Sequence, residues 1–311
     1  MQSLNRQGRL SATRLDRGPN DEIAQENLDL YHHIFTMMLG GRLYLAPIHA
    51  DPQRVLDLGT GTGIWAMDFA DDHPSASVIA TDLSPIQPSL VPPNLEFQID
   101  DFCEQWTFSP LASFDFIHAR CIYGCVADYP ALYSEVLAHL KPGAWFEHAE
   151  ISVIPRCHDG SLAGTSMERW GPLALEAGVK FGKSFGIAED VESLMTAAGF
   201  VNIKKHVFPW PIGPWAKDPA LKSIGGYNRL GWQQGLEGWA LFLFTKYLGV
   251  CARDTLPVAL SPVNCAPTVA SRGGPGPPCA DPTRVEQQLH PRLPGHVSRT
   301  PTMQRTSRSP D

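Results

Sequence analysis

The run Val55-Leu56-Asp57-Leu58-Gly59-Thr60-Gly61-Thr62-Gly63 joins an apolar strand, through a glycine-alternating turn, to a helix that starts at Ile64. Such a junction brings backbone N–H groups and a helix N-terminus up against a ligand. Gly59 and Gly61 admit backbone angles and a close approach that a Cβ would forbid. The spacing separates two ligand classes. A dinucleotide fingerprint requires G-x-G-x-x-G, and counting from Gly59 its last glycine would fall on the branched Ile64. A nicotinamide-dependent reductase is therefore disfavoured.

Ordinary strand–helix junctions use the same glycines, so the acids that follow matter. Ser77-Val78-Ile79-Ala80-Thr81-Asp82 is a second apolar run ending in a carboxylate. Asp82 lies about 20 residues past the glycine turn, where a doubly wound sheet sets an acid on a ribose diol. A carboxylate can accept from both hydroxyls; the plainer role for Asp82 is to cap the turn at Ser84-Pro85. Leu95 to Asp101 is a third strand, ending in Asp100 and Asp101, and Phe114 to Arg120 is a fourth. Groups that could take a proton from a substrate stand near the same strand ends: His118, His148 and Glu150, with Arg120 beside them. Tyr31, His32 and His33 could close the site from an N-terminal helix. Each of these also has an ordinary part open to it as a core hydrogen bond, an ion pair or a solvated face. Trp210 and Trp215 fit core packing better than an acceptor pocket.

The elements that must position these groups follow from periodicity. Asp21 can cap a helix running to about Leu39, with Ile23, Leu28, Leu30, Ile34 and Met38 at helical spacing and Gly40-Gly41 as its stop. Asp51 to about Ile154 reads as repeated strand–helix units, which imply a parallel sheet covered on both faces. Within it, Tyr129 to Leu140 is a helix, Lys141-Pro142-Gly143 a turn, and Ala144 to Val153 a strand. Helices over Leu162–Lys180, Ala188–Ala198 and Pro219–Leu248, and a strand over Asn202–Trp210, complete the body. The predicted organisation is a polar tail at 1–20, a single domain at 21–250 and a Pro/Arg-rich tail at 251–311. That last segment has too little apolar area to offset its ordering entropy and is expected to be disordered, with at most a short helix at Thr283–Leu289.

Composition excludes some classes. The 311-residue chain carries a net charge of −7, which gives no general basic footprint for nucleic acid. It shows no apolar run of bilayer-spanning length and no secretory signal. Its seven cysteines form no C-x-x-C pair, so no metal site is expected, and reduced thiols inside a cell are favoured.

The D-x-G-x-G-x-G run is similar to motif I of S-adenosylmethionine (SAM)-dependent methyltransferases. Further stretches narrow the resemblance: Leu28 to His33, Arg54 to Ala66, Thr81 to Pro88 (TDLSPIQP), Ile99-Asp100-Asp101, Trp106 to Phe108, Leu140 to Gly143 and Trp210 to Trp215. Over roughly residues 18–249 the chain resembles the fungal LaeA-like methyltransferases, regulators of secondary metabolism that partner with velvet proteins.

The resemblance implies an α/β class I methyltransferase (Rossmann-like) doubly wound sheet and SAM as cofactor. Asp57, Gly59, Gly61 and Gly63 would lie at the cofactor's amino-acid end, Asp82 at its ribose, and Asp101 or Asp100 at its adenine amino group. It also implies an unidentified methyl acceptor, velvet-type partners, and a place in the nucleus or cytoplasm. A SAM-binding regulatory subunit is the alternative. After Gly249 the resemblance stops: the final strand that the family inserts antiparallel into the sheet is not legible, as a shifted reading frame would leave it, and a product inactivated by an aberrant C-terminus follows as a further alternative.

Overall fold

The computed structural model describes residues 21–109, 113–157, 159–249, 286–287 and 302–304. The expected N-terminal tail and most of the C-terminal one lie outside these residues.

Helix α1 (Glu22–Met38) opens on Asp21, whose side chain accepts from the Ala24 N–H at 2.9 Å, and closes before Gly40 and Gly41, both at positive φ. Four parallel-paired strands then follow at intervals: β1 (Arg54–Leu58), β2 (Ser77–Asp82), β3 (Leu95–Ile99) and β4 (Phe114–Arg120). Helix α2 (Ile64–Asp72) links β1 to β2, and α3 (Tyr129–His139) links β4 to β5 (Leu140–Ala149). The chain continues through β6 (Pro155–Arg156), α4 (Ser166–Phe181), α5 (Ile187–Ala198), β7 (Val201–Lys204) and β8 (Trp210–Pro211). It ends its helical part with α6 (Pro219–Leu236), a π-helical turn at Glu237–Leu241 and α7 (Phe242–Leu248). Two short strands come later, β9 (Glu286–Gln287) and β10 (Thr302–Gln304).

The main sheet runs β3-β2-β1-β4-β5-β10-β7. This is the doubly wound α/β arrangement expected. Strand order reverses between β1 and β4, and the crevice at the carboxyl ends of those strands is where such sheets bind ligands. Alternation explains why both faces are covered. Val55, Phe116 and Trp145 point to the α2 side with Trp65 and Phe69, while Leu56, Ile117 and Phe146 point to α3 and α5 with Tyr133, Val136 and Met195. Phe116 and Phe146 are fully buried, each stabilising the fold by roughly 1.5–3 kcal/mol. A third layer of aromatic contacts, Trp170 on Trp232 and Phe244, holds α4 against α6 and α7.

Two expectations change. The final strand is present: β10 lies antiparallel between β5 and β7, with Met303 opposite Phe146. Its three residues are too few for alternation to announce a strand. Glu286–Gln287 pair with β6 and β8 instead of lying in a helix over Thr283–Leu289. Smaller shifts follow the same logic. Lys141-Pro142-Gly143 belongs to the start of β5, where the register against β4 slips between Phe114 and Phe116 and Gly143 takes a φ of 81°. The predicted strand over Asn202–Trp210 splits into β7 and β8.

Candidate functional site

The glycine turn sits at the carboxyl end of β1, between the ends of β2 and β4. Gly59, Gly61 and Gly63 all hold positive φ (68°, 59° and 83°), a conformation that L side chains avoid. Packing adds a second demand. A Cβ on Gly59 would stand 3.0 Å from Ile122 Cγ2 and 3.2 Å from Phe102 Cε1, and one on Gly63 would enter the Phe97 ring. Gly61 lies under Leu28 of α1, 3.3 Å from where its Cβ would be. The Thr62 hydroxyl donates to Asp29 at 2.6 Å, so α1 is tied across the turn.

Asp82 brackets this turn. Its carboxylate accepts the Gly61 N–H at 2.8 Å through Oδ2 and the Ser84 N–H at 2.8 Å through Oδ1. Capping at Ser84 and facing the glycine loop are thus met by one side chain. Gln87 lies in the TDLSPIQP stretch, but its role is not legible there. Its amide donates to the Gly61 carbonyl at 2.7 Å and to the Ser84 carbonyl at 2.8 Å, locking the loop after β2 onto the turn. Asp100 and Asp101 follow β3: the Asp100 N–H reaches the Asp82 carbonyl at 3.1 Å, and the Asp101 carboxylate accepts from Cys103 N–H at 2.9 Å. Strand order therefore sets the third, second and first acid-bearing ends in a row.

Asp57 behaves differently. It is 3% exposed, and its Oδ1 accepts from His118 Nδ1 at 2.7 Å. The His118 ring stacks on Trp65 with centroids 3.7 Å apart. Burial pushes this imidazole below its usual range, outweighing the pull of Asp57. The sequence suggests a core histidine or a catalytic one; the geometry is that of a buried pair supporting the strand ends.

On the other face of the sheet His148 and Glu150 form a connected line. Tyr133 Oη lies 2.9 Å from His148 Nδ1, and His148 Nε2 lies 2.8 Å from Glu150 Oε1. The same Oε1 accepts from Ile122 N–H at 3.0 Å, and Ile122 is the residue that covers Gly59. Glu150 Oε2 is buried with no hydrogen-bond partner among the described residues. The residues from α1 separate. Tyr31 stacks on Trp210, His33 points outward against Tyr227, and His32 turns inward. His32 Nδ1 lies 2.9 Å from Arg120 Nη2 and its Nε2 3.0 Å from Asp68 Oδ2. Burial first, then the Arg120 charge, pushes its pKa down to about 3, so it is neutral at physiological pH. Among the described residues no group of His, Cys, Asp and Glu is placed to hold a metal ion.

The turn fits a polar ligand on one independent observation: the Thr60 hydroxyl, in the middle of it, is buried without a hydrogen-bond partner among the described residues. Comparison with known proteins shows the family. A family model described as a methyltransferase domain matches residues 30–205. The methyltransferase pytC of Aspergillus terreus is 41% identical over 233 residues, which cover 74% of this chain and 71% of that protein. The secondary metabolism regulator LAE1 of Cochliobolus heterostrophus is 40% identical over 234 residues, covering 73% and 76%. The protein-methionine methyltransferase laeA of Emericella nidulans is 35% identical over 230 residues, covering 73% of this chain and 61% of its own length.

Proposed function

The chain belongs to the methyltransferase-domain family, and on that premise we propose that it moves a methyl group from SAM to an acceptor whose identity is open. The observation that carries this reading is the Asp82 carboxylate drawn onto the Gly61 N–H at the strand-order switch point. Asp82 would hold the ribose hydroxyls, Asp101 or Asp100 the adenine amino group, and Asp57 with Gly59, Gly61 and Gly63 the amino-acid end. When bound, SAM supplies a methyl group on a sulfonium centre, an electrophile that needs no activation by the protein. The chain's own work is then to orient, to exclude water and to receive a proton. Glu150 is the group best placed for the last task. One oxygen is held by Ile122 N–H and His148, and the other is buried with no hydrogen-bond partner among the described residues, so its lone pairs are unused. His148 and Tyr133 behind it steady the carboxylate, while His118 supports Asp57.

A second reading is a SAM-binding regulatory subunit that acts through velvet-type protein partners in the nucleus or cytoplasm. It draws on the family resemblance and on relatives that are named as secondary metabolism regulators. Among the described residues no helix is long and apolar enough to cross a membrane. Formation of S-adenosylhomocysteine separates the two readings. The full chain is incubated with methyl-labelled SAM and with separate protein and small-molecule fractions of a fungal extract. The enzyme reading expects label in one fraction and, at sub-saturating SAM, much less with Asp82→Ala. A folded protein that binds SAM and labels no fraction favours the regulatory subunit.

A further inference from the structure

Arg120 closes β4, one residue past Ala119, the register partner of Leu58, and so stands level with Gly59 at the edge of the turn. Its guanidinium lies 4.8 Å over the Phe35 ring and bonds to His32, which is neutral. Among the described residues no carboxylate comes within the 4.0 Å of an ion pair. The acids of its neighbourhood are all committed elsewhere. Asp57 accepts from His118, Asp68 from His32, and Glu147 takes the Leu45 and Ala46 N–H groups, both at 2.7 Å. A desolvated cation with no carboxylate in direct contact is costly; Asp57, Glu147 and Asp68 act on it from farther away, yet burial still pulls this guanidinium below its ordinary pKa. Arg120 as a residue is only partly buried.

We propose that Arg120 is the receptor for the carboxylate of the cofactor's amino-acid portion, an inference that rests on the SAM reading above. The amino-acid end of SAM is a zwitterion. The Arg120 cation at the end of β4 matches its carboxylate, while Asp57 at the end of β1 is already engaged by His118. A planar guanidinium can hold a carboxylate through two parallel N–H bonds. His32 acts as a positioning residue: by accepting from Nη2 and bonding to Asp68, it fixes the fork from behind without neutralising it. Phe35 supplies the flat surface on which the fork rests.

The test compares SAM with decarboxylated SAM, which keeps the adenosine, the sulfonium and the amine but lacks the carboxylate. Both are titrated calorimetrically into the full chain and into Arg120→Met, which retains an apolar stem against Phe35. Wild type should prefer SAM by about tenfold or more, the size of one charge-assisted contact. In R120M that preference should fall to within about threefold, through loss of SAM affinity alone. Equal weakening of both ligands, or no preference in the wild type, overturns the assignment. Binding of neither ligand to the folded wild type overturns the SAM reading instead. If R120M does not fold, phenylglyoxal modification of the wild type decides: SAM should protect Arg120 and decarboxylated SAM should not. Equal protection by the two counts against the proposal.

Discussion

A single carboxylate, that of Asp82, joins the turn after β1 to the loop after β2, and its replacement has two separable costs. Asp82→Ala removes the acceptor for Gly61 N–H and Ser84 N–H, which should lower stability by about 1 kcal/mol. It should also weaken SAM binding by about 1–3 kcal/mol, the worth of a charge-assisted hydrogen bond. Calorimetry and urea melts on one protein sample measure both. Unchanged SAM affinity in folded D82A would remove the ribose assignment. Gly63 shows the opposite case, a residue required by what it lacks. Gly63→Ala combines a positive φ with a clash against Phe97 and should cost about 2–4 kcal/mol. Gly182→Ala, at a φ of 79° with open space around it, should cost only about 1 kcal/mol. Equal losses would mean that Phe97 yields freely. These glycines and Asp82 are legible because their types and spacing are dictated by local backbone geometry. Gln87, Ile122 and the Arg120–His32 contact are not. Their roles arise where loops far apart in sequence meet, and no short-range pattern encodes that.

At the scale of elements, the strands β1 to β4 are legible because each is a buried apolar run bounded by a turn or an acid. The strand β10 is not, since three residues beyond Pro301 carry no period. Its placement alters what the C-terminal segment is expected to do. Without it the facing edges of β5 and β7 would lose their partner, and unpaired edges invite aggregation. Truncation after residue 300 should therefore lower the melting temperature and produce concentration-dependent aggregation, seen by differential scanning fluorimetry with light scattering. A truncated protein with the wild-type melting temperature and no scattering would show that β10 contributes nothing to the sheet. The π-helical turn at Glu237–Leu241 between α6 and α7 also gives no sequence signal, because the whole stretch from Pro219 has helical composition.

For the whole molecule, the buried histidines set an acid limit on stability. The folded pKa of His32 is pushed down to about 3 and that of His118 is also lowered, so the unfolded chain binds the extra protons. The His32 contribution is complete above the ordinary histidine value of 6.5 and is lost as pH falls from there toward 3; that of His118 is lost in the same direction. Between pH 7 and 5 His32 alone should account for a loss on the order of 1–2 kcal/mol, before most carboxylates titrate. Urea melts at the two pH values should show that loss in wild type and a smaller one in His32→Gln. Identical slopes would exclude His32 as the source.

The central claim, that the turn between β1 and α2 binds SAM, is tested most directly by calorimetric titration of the full chain with SAM and, separately, with NADH. The positions of Ile64, Asp82 and the orphaned Thr60 hydroxyl predict saturable binding of one SAM per chain and no heat from NADH. A folded chain that gives no heat with SAM, or that binds NADH in its place, would contradict the account.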